Sequence, residues 1–174
     1  MDNKRKNFYI FLDIDGVLWD WNWRLDAIDK GKIKNRLFVS EFNPKSMEAL
    51  NFLIEEMNKT HNTKVVISST WRGNLELADE VLRANNINYD DELLATKISG
   101  TPAKRGEEIL EFLNTHESGD FIILDDESFD FKNHFSPDKI IKTSLYDKSL
   151  SMEHINKWLK DNEKKQEDGY EREI

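Results

Sequence analysis

Four short apolar runs punctuate this chain, at residues 8–12, 64–67, 121–124 and 139–143, and polar residues close each of them. Runs of this length, rich in β-branched and aromatic residues, are too short for core helices and read as buried strands. Between them the period changes to that of a helix. Met47, Leu50, Leu53, Ile54 and Met57 form one apolar stripe, with Asn43 suited to the N-cap, Pro44 to the first helical position and Phe42 placed to staple onto Met47. A second helix is expected over residues 74–84, with Leu75, Ala78, Val81 and Leu82 inward and Asn85-Asn86 closing it. A third follows Gly106 with Ile109, Leu110, Phe112 and Leu113 as its apolar positions. A fourth, capped by Ser151, turns Met152, Ile155, Trp158 and Leu159 inward. Residues 87–100 are mixed: Ile87 and Tyr89 alternate, and Leu93-Leu94-Ala95 fits a short helix or strand. Strands alternating with helices predict an α/β domain whose mainly parallel sheet carries helices on both faces.

Two segments fall outside this alternation. Residues 19–42 are expected to form a short flap or long loop. They begin with Trp19, Trp21 and Trp23, which would share one face of an extended segment. Such a face either anchors the loop to the domain or shields a site and stacks on a planar group. Residues 161–174 are mostly charged and are expected to fray, leaving a single domain over residues 1–160.

The chemistry is concentrated where strands end. The first strand runs into Asp13-Ile14-Asp15-Gly16, and the third into Asp125-Asp126-Glu127-Ser128-Phe129-Asp130. Parallel strands present their last residues at the carboxyl edge of the sheet, where open α/β folds bind ligands. Carboxylates grouped there repel one another and are costly to desolvate, so a bound cation is expected. The donors are oxygen only, which suits Mg²⁺. The second strand ends in Ser68-Ser69-Thr70-Trp71-Arg72, whose hydroxyls and exposed N–H groups suit a phosphoryl oxygen. Arg72 is placed either to hold that loop or to meet an anionic substrate.

Composition narrows the classes. The chain has 174 residues, enough for one domain with a sizeable core. It contains no cysteine, which excludes disulfides, thiolate metal sites and cysteine nucleophiles. No apolar run is long enough to span a bilayer, and the polar residues 1–7 do not read as a signal peptide, so a cytoplasmic location is the default. His61, His116, His134 and His154 lack ligand spacing and are expected on the surface or at caps. The net charge of −9 weighs against strong non-specific nucleic-acid binding without excluding a local basic groove.

Taken in order, these strand ends resemble the four motifs of the haloacid dehalogenase superfamily. The resemblance covers residues 8–130: Asp13-x-Asp15-Gly16-Val17, a strand capped by serine, a basic residue before the fourth strand, and Asp125-Asp126. It implies a three-layer Rossmann-like α/β/α fold without a large cap domain, and a phosphatase or phosphotransferase. Dehalogenases of the superfamily lack an acid at the position of Asp15, and its ion pumps carry threonine there. By the same resemblance Asp13 is the nucleophile that forms an aspartyl-phosphate, and Asp15 is the general acid and base. Mg²⁺ is held by Asp13, the Asp15 carbonyl and Asp126, with Asp125 assisting and Asp130 as an outer acidic partner. Ser69 and Thr70, with Ser68 the alternative, and Lys104, with Arg105 and Lys97 as rivals, hold the phosphoryl oxygens. The Ser-Ser-Thr-Trp-Arg loop and the short chain further resemble the branch related to the phosphatase half of polynucleotide kinase-phosphatase repair enzymes. That implies a phosphorylated nucleotide or nucleic-acid end as substrate. A phosphatase of nucleoside monophosphates or sugar phosphates, and a catalytically idle module binding Mg²⁺ and phosphate, remain the competing readings. A receiver-like signalling domain fits less well, since its phosphorylated aspartate would sit on a mid-chain strand.

Overall fold

A computed structural model describes residues 5–33, 39–90, 92–99 and 104–170, the last six by backbone alone. The apolar runs form strands β1 (Asn7–Leu12), β2 (Asn62–Ile67), β4 (Gly119–Asp125) and β5 (Ile140–Lys142), joined by a two-residue β3 (Leu94–Ala95). They hydrogen-bond in the order β3-β2-β1-β4-β5, and every pairing is parallel. Strand β1 lies at the centre and is buried along its whole length, which explains its unbroken apolar run.

Helices α2 (Pro44–Asn58), α3 (Leu75–Ala84) and α5 (Met152–Tyr170) cover one face. Leu50, Leu53, Val81, Leu82 and Ile155 pack there against Phe8, Ile10, Leu12, Ile67 and Leu124. Helix α4 (Arg105–Thr115) covers the other face, where Ile109 and Phe112 meet Tyr9, Phe11, Val66 and Ile123. Alternate residues of β1 thus serve two cores, and the fold is the three-layer α/β/α arrangement. Asn43 caps α2 as expected, accepting from the Lys45 N–H, and Asn74, read as the first residue of the next helix, caps α3 by accepting from the Leu77 N–H.

The chain steps from β1 to β2 to β3, then crosses back to place β4 on the other side of β1. The switch point therefore lies between the carboxyl ends of β1 and β4. Leu12 pairs with both Ile67 and Leu124, so Asp13, Ser68 and Asp125 follow at one level.

Three expectations need correction. The tryptophan segment is not extended. Asp20 caps a nine-residue helix, α1 (Trp21–Asp29), so Trp19 is buried before the helix while Trp21 is 41% exposed on it. The alternating aromatics mimic a strand pattern, but Asp at an N-cap is among the strongest local helix signals and prevails here. Leu110 faces outward, 37% exposed, because the buried face of α4 runs through Arg105, Glu108, Ile109 and Phe112. Helix α5 continues to Tyr170 where fraying was expected from residue 161, since Lys, Glu and Gln are good helix formers without an apolar face.

The Asp20 carboxylate also ties this helix to the domain. Its Oδ1 accepts from the Trp23 N–H at 2.8 Å, and its buried Oδ2 accepts from the N–H and hydroxyl of Ser149. Asp20→Ala should lower unfolding stability by about 2 kcal/mol, through a lost cap and an unsatisfied buried donor. The urea midpoint measures it, and an unchanged midpoint would mean that aromatic packing alone holds α1.

Candidate active site

The residue after β1 is Asp13, whose N–H continues the ladder to the Leu124 carbonyl at 3.0 Å. The last residue of β4 is Asp125, fully buried, with Asp126 half-buried beside it. Carboxylate oxygens of Asp13, Asp125 and Asp126 all lie within 4.8 Å of one another. Gly16 makes that approach feasible. It sits at φ 78° in the left-handed region, and a Cβ there would lie 2.5 Å from Asp126 Cγ.

Arg105 brings a guanidinium into this cluster. Its Nη1 lies 2.6 Å from Asp125 Oδ2 and 3.4 Å from Asp13 Oδ1, while the Phe129 ring covers the guanidinium at 4.3 Å. Arg105 is the first residue of α4, and Asp130 fixes that helix start by accepting from the N–H groups of Gly106 and Glu107 at 2.6 and 3.1 Å. Asp130 is thus a helix cap rather than an outer member of the carboxylate cluster. A Cβ on Gly106 would lie 2.9 Å from Asp130 Oδ1, so the cap needs glycine there.

Lys104, the first choice for the phosphate cation, is exposed and pairs with Glu107 at 2.9 Å. Lys97 is likewise exposed, paired with Glu111 at 2.5 Å. The approach segment Thr101-Pro102-Ala103 lies outside the described residues. Helical spacing distinguishes these basic residues. Arg105, Ile109 and Phe112 stand at i, i+4 and i+7 on the buried stripe, and Lys104 does not.

The loop after β2 divides its hydroxyls. Ser68 lies level with Asp13, and its buried Oγ has no hydrogen-bond partner among the described residues. The Ser69 Oγ accepts from the Trp71 N–H at 3.2 Å and so caps a 3-10 helix (Thr70–Asn74), while Thr70 is exposed. Arg72 holds the loop. It donates to the Ser68 carbonyl at 2.5 Å and the Thr96 hydroxyl at 2.8 Å, and pairs with buried Glu108 of α4 at 2.7 Å. Its side chain is buried, which leaves no face for substrate.

Asp15 stands at the mouth of the cluster, half-buried. Its Oδ1 accepts from Trp19 Nε1 at 2.8 Å and its Oδ2 from Trp71 Nε1 at 3.1 Å. Sequence reasoning placed the tryptophans near the site but missed this contact, and it missed Phe129 altogether. Nothing in the spacing marks Phe129, whose φ of 31° is a feature of the folded loop. Of the histidines, His116 stacks on Phe112, His154 meets Ser151 at the start of α5, and His134 lies 3.2 Å from Asp130 and, with Glu107, in a second group that could hold a metal ion.

Burial and mutual repulsion raise the carboxyl pKa values. Asp13 is pushed well up, first by burial and then by the Asp125 charge, with Arg105 opposing. Asp125 is raised by burial to about 6 even with Arg105 beside it, and burial also raises Asp126. Three acids sharing one guanidinium, all offering oxygen at a common point, fit a hard divalent cation such as Mg²⁺.

This fold, with its acidic switch point and a DxD directly after the central strand, defines a haloacid dehalogenase-like protein of the phosphohydrolase type, a class that generally uses Mg²⁺. The chain belongs to the family of HAD domains in Swiss Army Knife RNA repair proteins, whose model matches residues 9–155. No curated protein and no solved structure matched the chain. No described helix is long and apolar enough to cross a membrane.

The raised values carry a sign. An unfolded Asp125 loses its proton near 3.8, and the folded one near 6, so between these values the folded state holds the extra proton. Stability of the metal-free protein should fall as pH rises through that window, and further as Asp13 ionises. Mg²⁺ should therefore raise the melting temperature more at pH 7.5 than at pH 5, by mass action on the ionised cluster. Equal shifts at both pH values, measured by thermal melts with chelator and with Mg²⁺, would remove this cluster as the metal site. Gly16→Ala should abolish the Mg²⁺ shift at pH 7.5, since its Cβ displaces Asp126.

Proposed function

We propose that this chain removes the phosphoryl group from a phosphomonoester through an aspartyl-phosphate on Asp13, with Mg²⁺ held by Asp13, Asp126 and the Asp15 carbonyl. The observation that carries the reading is the buried Asp13 carboxylate beside Asp125, Asp126 and Arg105 at the switch point, with Asp15 two residues on.

An Asp13 oxygen attacks phosphorus in line, forming a P–O bond as the bond to the substrate's ester oxygen breaks. Asp15 gives its proton to that leaving oxygen. Asp15 then takes a proton from water, whose oxygen attacks phosphorus and displaces the Asp13 carboxylate, releasing inorganic phosphate. Arg105 and a hydroxyl of the Ser68-Ser69 pair offer donors to the phosphoryl oxygens, with Ser68 favoured by its unused Oγ level with Asp13. Arg105 takes this role rather than Lys104, because its guanidinium reaches the Asp13 carboxylate while Lys104 pairs with Glu107. A bound Mg²⁺ supplies charge that offsets the repulsion between carboxylate and phosphate.

Access argues for a substrate larger than the phosphoryl pocket. Among the described residues, only the short α1 intervenes between β1 and α2. The family of RNA repair domains adds weight to a nucleotide or nucleic-acid terminal phosphate. A nucleoside monophosphate is the competing substrate, favoured by the exposed Trp21 ring, which stands edge-on 5.2 Å from Trp19 near Asp15.

Phosphate release from an aryl phosphate with Mg²⁺ tests the chemistry. Asp13→Asn should reduce it by about a thousandfold or more, and EDTA should stop it. Turnover that survives the substitution would sink the nucleophile assignment. In competition, an oligonucleotide with a 3′-phosphate should inhibit better than the corresponding mononucleotide, and the reverse order would assign the small-molecule substrate.

A further inference from the structure

The reaction needs Asp15 to meet the leaving oxygen, yet a carboxyl group on a loop turns readily about its side-chain torsions. Two indoles restrict this one. Trp19 Nε1 donates to Oδ1 and Trp71 Nε1 to Oδ2. An indole N–H only donates, and each carboxylate oxygen can accept twice, so both oxygens are fixed while each keeps a direction open.

The two donors reach Asp15 from separate segments, and each is itself held. Trp19 belongs to the same turn, where the Leu18 N–H donates to the Ile14 carbonyl at 2.9 Å. It is buried, with Trp21 edge-on at 5.2 Å and the Arg24 guanidinium 5.4 Å from its ring centre. Trp71 belongs to the 3-10 helix after β2, packs edge-on to Phe42 at 6.4 Å, and precedes the anchored Arg72. Both N–H groups thus converge on one half-buried carboxyl.

We propose that Trp19 and Trp71 form a two-indole clamp that sets the Asp15 carboxyl in line with the leaving oxygen. They are positioning residues that act through Asp15, and the inference rests on the reading of Asp15 as proton donor. Misplacement of a reacting group by about 1 Å can cost on the order of a hundredfold in rate. The penalty should depend on the leaving group, because an alkoxide needs the proton in the first step and a nitrophenolate departs with little help.

The test compares p-nitrophenyl phosphate with an alkyl phosphate such as glycerol 2-phosphate, both with Mg²⁺. Trp71→Phe keeps an aromatic ring, though a smaller one, and removes the N–H. Its kcat/KM should fall about 10- to 100-fold on the alkyl ester and stay within about threefold on the aryl ester, for which phosphorylation of Asp13 needs no acid. Trp19→Phe should show the same selectivity, and gives a second variant should the first fail to fold. In an Asp15→Asn background, Trp71→Phe should add little further loss on the alkyl ester. Equal losses on both esters, or full additivity with Asp15→Asn, would overturn the clamp while leaving the phosphohydrolase intact. Absence of release from either ester by the unmodified protein would overturn the phosphohydrolase reading, and the clamp's role with it.

Discussion

Arg105 is the residue on which the carboxyl edge of this sheet depends. Three acids converge where β1 and β4 end, and Arg105 is the basic side chain that reaches the carboxylates of Asp13 and Asp125, while Lys142 meets the Asp126 carbonyl at 2.7 Å. Removing one member of such a buried group leaves an uncompensated charge, which typically costs about 3–5 kcal/mol. The single guanidinium does not neutralise the set, and burial, with the neighbouring carboxylates adding to it, keeps the Asp13 and Asp125 values raised even beside Arg105. The site is thus built to be under-compensated. A fully neutralised cluster would fold more readily, but it would have little reason to take up a divalent cation.

The position of Arg105 is bought by a chain of contacts away from the chemistry. Asp130 caps α4 at Gly106 and Glu107, which sets the first turn, and Phe129 covers the guanidinium. One turn further, Glu108 pairs with Arg72 and also accepts from the N–H and hydroxyl of Ser99. Arg72 in turn holds the Ser68 carbonyl and the Thr96 hydroxyl. Helix α4 therefore links the β4 loop to the β2 loop through side chains that never need to meet substrate. Its charged residues at 105 and 108 share the buried stripe with Ile109 and Phe112, so one helical face serves packing and positioning together.

This division explains what the sequence disclosed. The strands were legible because buried parallel strands are continuous apolar runs, and Asp13, Asp15, Asp125 and Asp126 were legible because each acidic pair directly follows such a run. The choice between Ser68 and Ser69 was not, because it depends on register. Once Leu12 is paired with Ile67, Ser68 falls level with Asp13, and Ser69 is free to cap the 3-10 helix. Arg105 over Lys104 could have been read from the i, i+4, i+7 spacing to Ile109 and Phe112, a signal that motif order conceals. The extended tryptophan face failed because period-2 alternation outweighed Asp20 as a cap. Phe129 and the indole contacts of Asp15 arise from tertiary approach and leave no mark in local spacing.

The two central aspartates end up in opposite surroundings although a single residue separates them. Asp13 continues the β1 ladder and is 5% exposed among like charges, the setting of a group that gains from a cation and from phosphorylation. Asp15 lies past the end of the ladder, half-buried, and its two oxygens accept from neutral indole donors. The turn at Gly16 creates that difference, since its left-handed backbone carries the chain away from the sheet while letting Asp126 close in behind it. The proposed division of attack and proton transfer between two chemically identical side chains rests on this difference, because the backbone between them, rather than the residue type, sets what each one touches.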